Sequence, residues 1–152
     1  MVALVSFFED EYEFLSNAFH SPIEDSSSET VYDNVEEAYA LAMYQFEDEI
    51  LGLPSGNTPD YILEKIENKR YTIMLELVKQ KFWVHKDLSE KLAQTGDAIL
   101  LNGNMSHDNY WGSCFCSPCQ NLASTNYLGQ ILEKVREDII RQKQLETHYP
   151  SK

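Results

Sequence analysis

The second half of the chain carries, in order, Thr95-Gly96-Asp97, His107-Asp108, Trp111-Gly112 and Asn126-x-Leu128-Gly129. These residue types suit recognition of a nucleotide. An indole such as Trp111 offers a flat apolar face to a base, and a lone carboxylate such as Asp108 holds ribose hydroxyls or a water. Backbone amides left free at a helix start attract phosphate, and a glycine there permits close approach. Asn126 and Gly129 open such a helix, so the phosphate end is expected there, and Gly112 beside the indole is counted with the binding residues. Gly-x-Gly-x-x-Gly does not occur, which sets dinucleotide-fingerprint chemistry aside. A further carboxylate of interest, Glu36, lies far upstream.

Each of these residues also has an ordinary use. His107-Asp108-Asn109 reads as a turn, Trp111 as a core aromatic, and Ser124-Thr125-Asn126 as a plain helix cap. An acid in the first turn of a helix favours the helix dipole. Glu36 would close a capping box if Asp33 is the cap, and Glu37 would do so if Asn34 is.

The elements that must position these residues follow from periodicity. Ala3 to Phe8 is β-favouring and reads as a strand, as do Thr30-Val31-Tyr32 and Ile99-Leu100-Leu101, the last running into a turn-like Asn102-Gly103. Val35, Ala38, Tyr39, Ala42 and Phe46 are helically spaced behind a cap at Asp33 or Asn34. Thr58-Pro59-Asp60 starts another helix, and a further one carries Met74, Leu77, Val78 and Phe82. Asp87-x-x-Glu90 resembles a capping box, with Gly96 ending that helix. Leu128, Ile131, Leu132, Val135 and Ile139 mark a long last helix. Ser26-Ser27-Ser28 and Leu53 to Asn57 read as loops. The fold class expected is α+β: a mainly helical, compact single domain over residues 1–152 with a small β-sheet.

At 152 residues, with 43% hydrophobic and 12% aromatic composition, the chain is globular and long enough for one core. No apolar run reaches the roughly 18 residues of a membrane span. Met1-Val2-Ala3-Leu4 meets Glu9, Asp10 and Glu11 without a basic leader, so no signal peptide is expected. A net charge of −13 repels phosphate backbones and anionic membranes. Neither strong duplex DNA binding nor a membrane partner is expected, whereas a small anionic ligand can still find a locally positive pocket.

The three cysteines form Cys114-x-Cys116-x-x-Cys119. Their odd number and the absent leader point to a reducing, cytoplasmic setting rather than a disulfide scaffold. Together with His107 they are the zinc ligands one would choose. The spacing is tight, however, the fourth ligand is a guess, and a chain of this size folds without metal. Plain thiols are the expected reading, with no metal and no cofactor.

Taken in order, Phe14-Leu15-Ser16-Asn17, Val35-Glu36-Glu37-Ala38-Tyr39, Met74, Lys81-Phe82, Thr95-Gly96-Asp97-Ala98, Asp108, Trp111-Gly112, Asn126-x-Leu128-Gly129 and Val135-Arg136 resemble the NADAR superfamily, the YbiA-like proteins. The likeness runs from about Phe7 to Arg141. It implies a YbiA-like α+β fold and an N-glycosidase that cleaves the bond between ribose and a base. The substrate class implied is ADP-ribosylated guanine or a ribosylamino-pyrimidine phosphate. By position, Glu36 matches the family's catalytic glutamate, and Asp108 and Trp111 match the acid and the indole of its pocket. Asn17 and Asn126 match its asparagines, and Arg136 a family arginine.

Departures accompany the likeness. Glu37 stands where the family has histidine, Ala40 for glutamine, Met43 for lysine and Asn102 for glutamate, and a tryptophan before Met74 is missing. The expected mechanism has Glu36 stabilising an oxocarbenium-like ribose or activating water, with Asp108 sharing the proton work. The rival, motivated by Ala40, Met43 and Asn102, is an ADP-ribose- or nucleotide-binding module without turnover.

Overall fold

A computed structural model describes residues 3–25, 29–51 and 60–148. The loop readings at Ser26 to Ser28 and Leu53 to Asn57, and the Thr58-Pro59 helix start, lie outside the described residues. Chain order is β1 (Leu4–Ser6), a 3-10 turn (Asp10–Leu15), β2 (Ile23–Asp25), β3 (Thr30–Tyr32) and α1 (Val35–Leu51). There follow α2 (Asp60–Val84), α3 (Lys86–Gln94), β4 (Ile99–Leu101), β5 (Gly103–Asn104), β6 (Ser113–Cys114) and α4 (Tyr127–His148). Helix dominates, as the α+β expectation required. Among the described residues the strands form three separate two-stranded pairs rather than one sheet.

The parallel pair β1–β4 ties the chain's beginning to its second half, with Val5 opposite Leu100. Both of these are buried while Leu4 and Ile99 are exposed, which is the period-two alternation of a strand with one face on a core. The core gathers Phe14, Leu15, Val35, Met74, Val78, Phe82 and Leu92 with one stripe of α4: Leu128, Ile131, Leu132, Val135 and Ile139. That stripe has the spacing of a helix with one apolar face.

Three sequence expectations need correction. Asp60 to Val84 is one continuous helix, not two, because no Gly or Pro interrupts it. Asp87 does not cap α3: His85 is the cap residue and makes no side-chain capping bond, its Nε2 lying 2.8 Å from the Pro22 carbonyl oxygen instead. Asn102-Gly103 is not a reversal, since Gly103 enters β5 and pairs in parallel with Ser113. Gly96 behaves as expected, with a φ of 63° directly after α3.

α4 crosses β4 so closely that a Cβ on Gly129 would overlap the Leu100 carbonyl oxygen and the Asn126 amide group. Backbone carbonyls cannot move aside as a flexible side chain can. Gly129→Ala is therefore expected to destabilise the fold by roughly 1–3 kcal/mol or more, read as a fall in the urea midpoint. An unchanged midpoint would mean that α4 and β4 separate at little cost.

Candidate active site

The start of α1 settles which acid does structural work. Asn34 Oδ1 accepts the Glu37 amide at 2.8 Å, and Glu37 Oε2 reaches back to the Asp33 amide at 3.1 Å. This is close to a capping box, the acid bonding the amide of the residue before the cap rather than that of the cap itself, and it belongs to Asn34 and Glu37. Glu36 is left over. Its amide bonds the Asn17 carbonyl at 3.1 Å, but its carboxylate has no hydrogen-bond or ion-pair partner among the described residues.

That carboxylate lines a cavity of about 420 Å³. Tyr39 joins it from the same face of α1, one turn on, as the i,i+3 relation requires. Ser16, Asn17 and Ala18 supply the wall that follows the 3-10 turn, Met74 comes from α2 and Leu128 from α4. The opposite wall comes from the stretch between β4 and β6, with Asn102, Asn104, Ser106, Asp108 and Trp111. Glu36 and Trp111 thus converge although the chain separates them widely.

Asp108 is held as a device rather than as a loose surface acid. Its Oδ1 accepts the amides of Tyr110 at 3.1 Å and Trp111 at 2.9 Å, folding the loop that presents the indole. The Asn104 side chain brackets the same residue, accepting from the Asp108 amide at 3.1 Å and donating to its carbonyl at 2.8 Å. The turn reading of Asp108 and its place in the cavity wall are therefore both correct. Trp111 is half-buried, with Tyr39 edge-on at 5.6 Å and Tyr110 edge-on at 4.7 Å. Asn17 directs its amide to the Met74 sulfur at 3.5 Å.

A polar strut from α2 stands behind these rings. Arg70 lies 4.1 Å above the Tyr110 ring, bonds Glu67 at 3.2 Å and acts electrostatically on Tyr39. Tyr110 donates its hydroxyl to Glu67 at 3.2 Å. Burial, and then the Glu67 carboxylate, push the Tyr110 phenol up to about 12. Burial likewise raises Tyr39, against the opposing pull of Arg70. Both phenols are neutral hydroxyls at physiological pH, so Tyr39 presents an uncharged polar group to the cavity.

Other residues singled out from the sequence serve the wall without lining the hollow. Asn126 Oδ1 accepts the Asn102 amide at 2.9 Å and its Nδ2 donates to the Leu100 carbonyl at 2.9 Å, fastening β4 to the start of α4. The amides of Tyr127 and Leu128 already bond the carbonyls of Tyr110 and Trp111. Two amides that the phosphate expectation relied on are thus engaged within the protein. At Gly112 and Gly129 the constraint is close backbone packing, a Cβ on Gly112 overlapping the Asn102 carbonyl. Arg136 donates to Thr95 Oγ1 at 3.0 Å and the Ala98 carbonyl at 2.8 Å, and faces a different hollow, of about 620 Å³, along α4. Ala40 and Met43 do not line the cavity, whereas Asn102 does.

Tyr39, Arg70, Asn104 and Ser106 were not identified from the sequence as site residues. The i,i+3 relation of Glu36 and Tyr39 was a usable signal, masked by counting Tyr39 as part of the core stripe. Arg70 carried no signal, because its partner Tyr110 is distant in the chain. His107 Nδ1 and the sulfurs of Cys114, Cys116 and Cys119 also come together, all within 4.8 Å of one another.

Among the described residues no helix is long and apolar enough to cross a membrane. The sequence model of the NADAR domain family matches residues 6–140. A curated relative, N-glycosidase Npun_R5314 of Nostoc punctiforme, is 43% identical over 67 residues, or 44% of this chain and 39% of its own length. The chain thus aligns with well under half of that relative. The NMR structure of the E. coli protein YbiA superposes with a TM-score of 0.69, covering 99% of this chain and 94% of its own at 20% identity. At that identity the match establishes the fold.

Proposed function

Because this chain belongs to the NADAR domain family, we propose that its cavity hydrolyses the C–N bond between a ribose and a base in a nucleotide-like substrate. The observation that carries this reading is the convergence of the unpaired Glu36 carboxylate, Asp108 and Trp111 on one cavity. A hollow of about 420 Å³ suits a small-molecule ligand, and the relative's printed activity, N-glycosidase, has the same chemistry.

Departure of the base leaves positive charge spread over the ribose ring. A fixed carboxylate stabilises that state more than the neutral ground state, which is what accelerates a reaction. Glu36 is the group for this work, by charge or by activating the attacking water, since no neighbour among the described residues neutralises it. Asp108 keeps Oδ2 for a ribose hydroxyl or a proton while Oδ1 holds the loop. Trp111 packs against the leaving base, and Tyr39 and Asn17 supply neutral polar contacts. Arg70 does not line the cavity; it stands over the Tyr110 ring that packs on Trp111, and the phosphate of a substrate that reaches past the hollow is assigned to it rather than to the start of α4. Arg70→Ala is accordingly expected to raise KM about tenfold with a smaller change in kcat. A phosphate-free nucleoside should show no such rise, and an equal rise for both would remove the assignment.

The reading is tested by incubating the protein with ADP-ribosylated guanosine and, separately, with a ribosylamino-pyrimidine phosphate, following free base by chromatography. Release of base from either supports a glycohydrolase and names its substrate. The second reading, a nucleotide-binding module, is favoured by Asn102 lining the cavity where the resemblance gives glutamate. Calorimetric binding of ADP-ribose without product from either substrate would select it.

A further inference from the structure

We propose that His107, Cys114, Cys116 and Cys119 bind one zinc ion in a closed structural site that braces the loop carrying Asp108 and Trp111. The inference is independent of the reaction assigned to the cavity.

His107 Nδ1 lies 3.3 Å from the sulfurs of both Cys116 and Cys119 and 4.0 Å from that of Cys114. A tetrahedral centre with the usual Zn–S and Zn–N bond lengths has ligand-to-ligand edges of roughly 3.5–3.8 Å. The three N–S edges lie close to that range and all four donors fall within 4.8 Å of one another, so a contraction of roughly 1 Å at the longest edge seats four donors of the right softness on one ion. Two of the three reasons for setting metal aside in the sequence were tight spacing and a fourth ligand, His107, that was only a guess. The fold answers both, because His107 is brought in by the loop and not by its position in the motif.

Each ligand is delivered by separate local structure. Cys114 sits in β6, paired with Asn104 of β5, and its amide bonds Asn109 Oδ1 at 2.9 Å. Cys116 caps and Cys119 ends a 3-10 turn (Ser117–Cys119), with the Cys119 amide on the Cys116 carbonyl at 3.1 Å. The Cys116 amide points at the Cys114 sulfur at 3.5 Å, a contact that stabilises a thiolate. His107 takes a φ of 69°, a left-handed conformation that a histidine adopts only at some cost. That conformation turns its ring toward the sulfurs. All three cysteines are free, and two are buried.

Binding would replace the three thiol protons with one Zn²⁺, releasing them to solvent, while the neutral imidazole binds through Nδ1 with its proton on Nε2. With four protein ligands no coordination position is open, so the ion is structural rather than catalytic. Its anchors fall immediately before Asp108 and just after Trp111, clamping the cavity wall between them.

The test uses the full chain purified under reducing conditions without chelator or added metal. Elemental analysis is expected to find about one zinc per chain. Cobalt(II) added to the stripped protein should give the intense visible and thiolate charge-transfer bands of a tetrahedral, sulfur-rich site. These readouts do not depend on activity. Cys116→Ser, at the half-exposed ligand, should lower zinc retention and weaken the charge-transfer bands in a chain that still folds by circular dichroism. Hydrogen exchange across residues 104–120 should rise on stripping while α4 remains protected. Zinc near zero together with a weak, octahedral cobalt spectrum overturns the site, as does full zinc retention in Cys116→Ser. Unchanged exchange across residues 104–120 overturns the bracing role.

Discussion

Glu36→Gln is expected to lower kcat for N-glycoside cleavage by about 100- to 10,000-fold, the range for losing a positioned acid–base or charge-stabilising group. Folded stability should stay within about 0.5 kcal/mol of the parent. The two halves of this prediction come from the same observation. Asn34 and Glu37 hold the start of α1, so the Glu36 carboxylate contributes no bond that glutamine would forfeit. What glutamine loses is negative charge, and that matters only when the ribose ring becomes positive. KM should therefore move little, because the ground-state sugar is neutral. Asp108→Asn is the informative companion. Asparagine can still accept the amides of Tyr110 and Trp111 through its oxygen, so the loop should persist while the second charge goes. A wild-type kcat in Glu36→Gln, with a collapse in Asp108→Asn, would transfer the principal role to Asp108. A loss in both, with no thermal shift, fits two carboxylates acting on one transition state.

The sequence made the elements more legible than the site. Helical spacing exposed the apolar stripe of α4, whose pattern must repeat every 3.6 residues, and the strand around Leu100 showed as a short apolar run before Asn102-Gly103. β2 was missed because Ile23-Glu24-Asp25 has only one apolar residue facing inward, and three residues cannot show a period. In the site, residue type suggested Asp108 and Trp111 as nucleotide-binding groups, and the family likeness made Glu36 the catalytic carboxylate. Residue type alone favoured a cap, a turn and a core ring, and two of those ordinary roles do exist: Asp108 makes the turn, and Trp111 packs on the core. Asn126 shows the reverse error. Its type and position suit a phosphate-binding helix start, but its side chain is fully used between Asn102 and Leu100. Only spatial neighbours distinguish these cases. The cysteine cluster makes the same point: His107 was already named beside the three thiols in the sequence, but only the fold shows its Nδ1 next to all three sulfurs.

Lys81 illustrates how the wall of the cavity is secured at a thermodynamic cost, and it gives the second large effect. The side chain is only 1% exposed, lies between the Phe19 and Phe82 rings and donates to the Ser16 carbonyl at 2.9 Å. Ser16 and Asn17 line the cavity, so the amine fastens that wall from behind. Burial pushes its pKa down to about 7, whereas the unfolded chain holds the proton to about 10.4. Between those values the unfolded state binds more protons than the native one, and stability climbs with pH by at most ~1.4 kcal/mol per unit. Below the folded pKa both states are charged and the penalty is full and constant; above the unfolded pKa both are neutral and it is gone. Even the neutral amine keeps an N–H for Ser16, so the contact itself survives the titration. Lys81→Met abolishes the slope and adds a pH-independent loss of roughly 1–3 kcal/mol for the unpaired Ser16 carbonyl. The stability of the parent relative to Lys81→Met is thus expected to grow by about 2 kcal/mol from pH 7 to pH 9, measured by urea unfolding of both proteins at each pH. Every other titrating group is common to the two chains and cancels in the difference. A constant difference across that interval would show that the buried amine keeps its ordinary affinity for a proton.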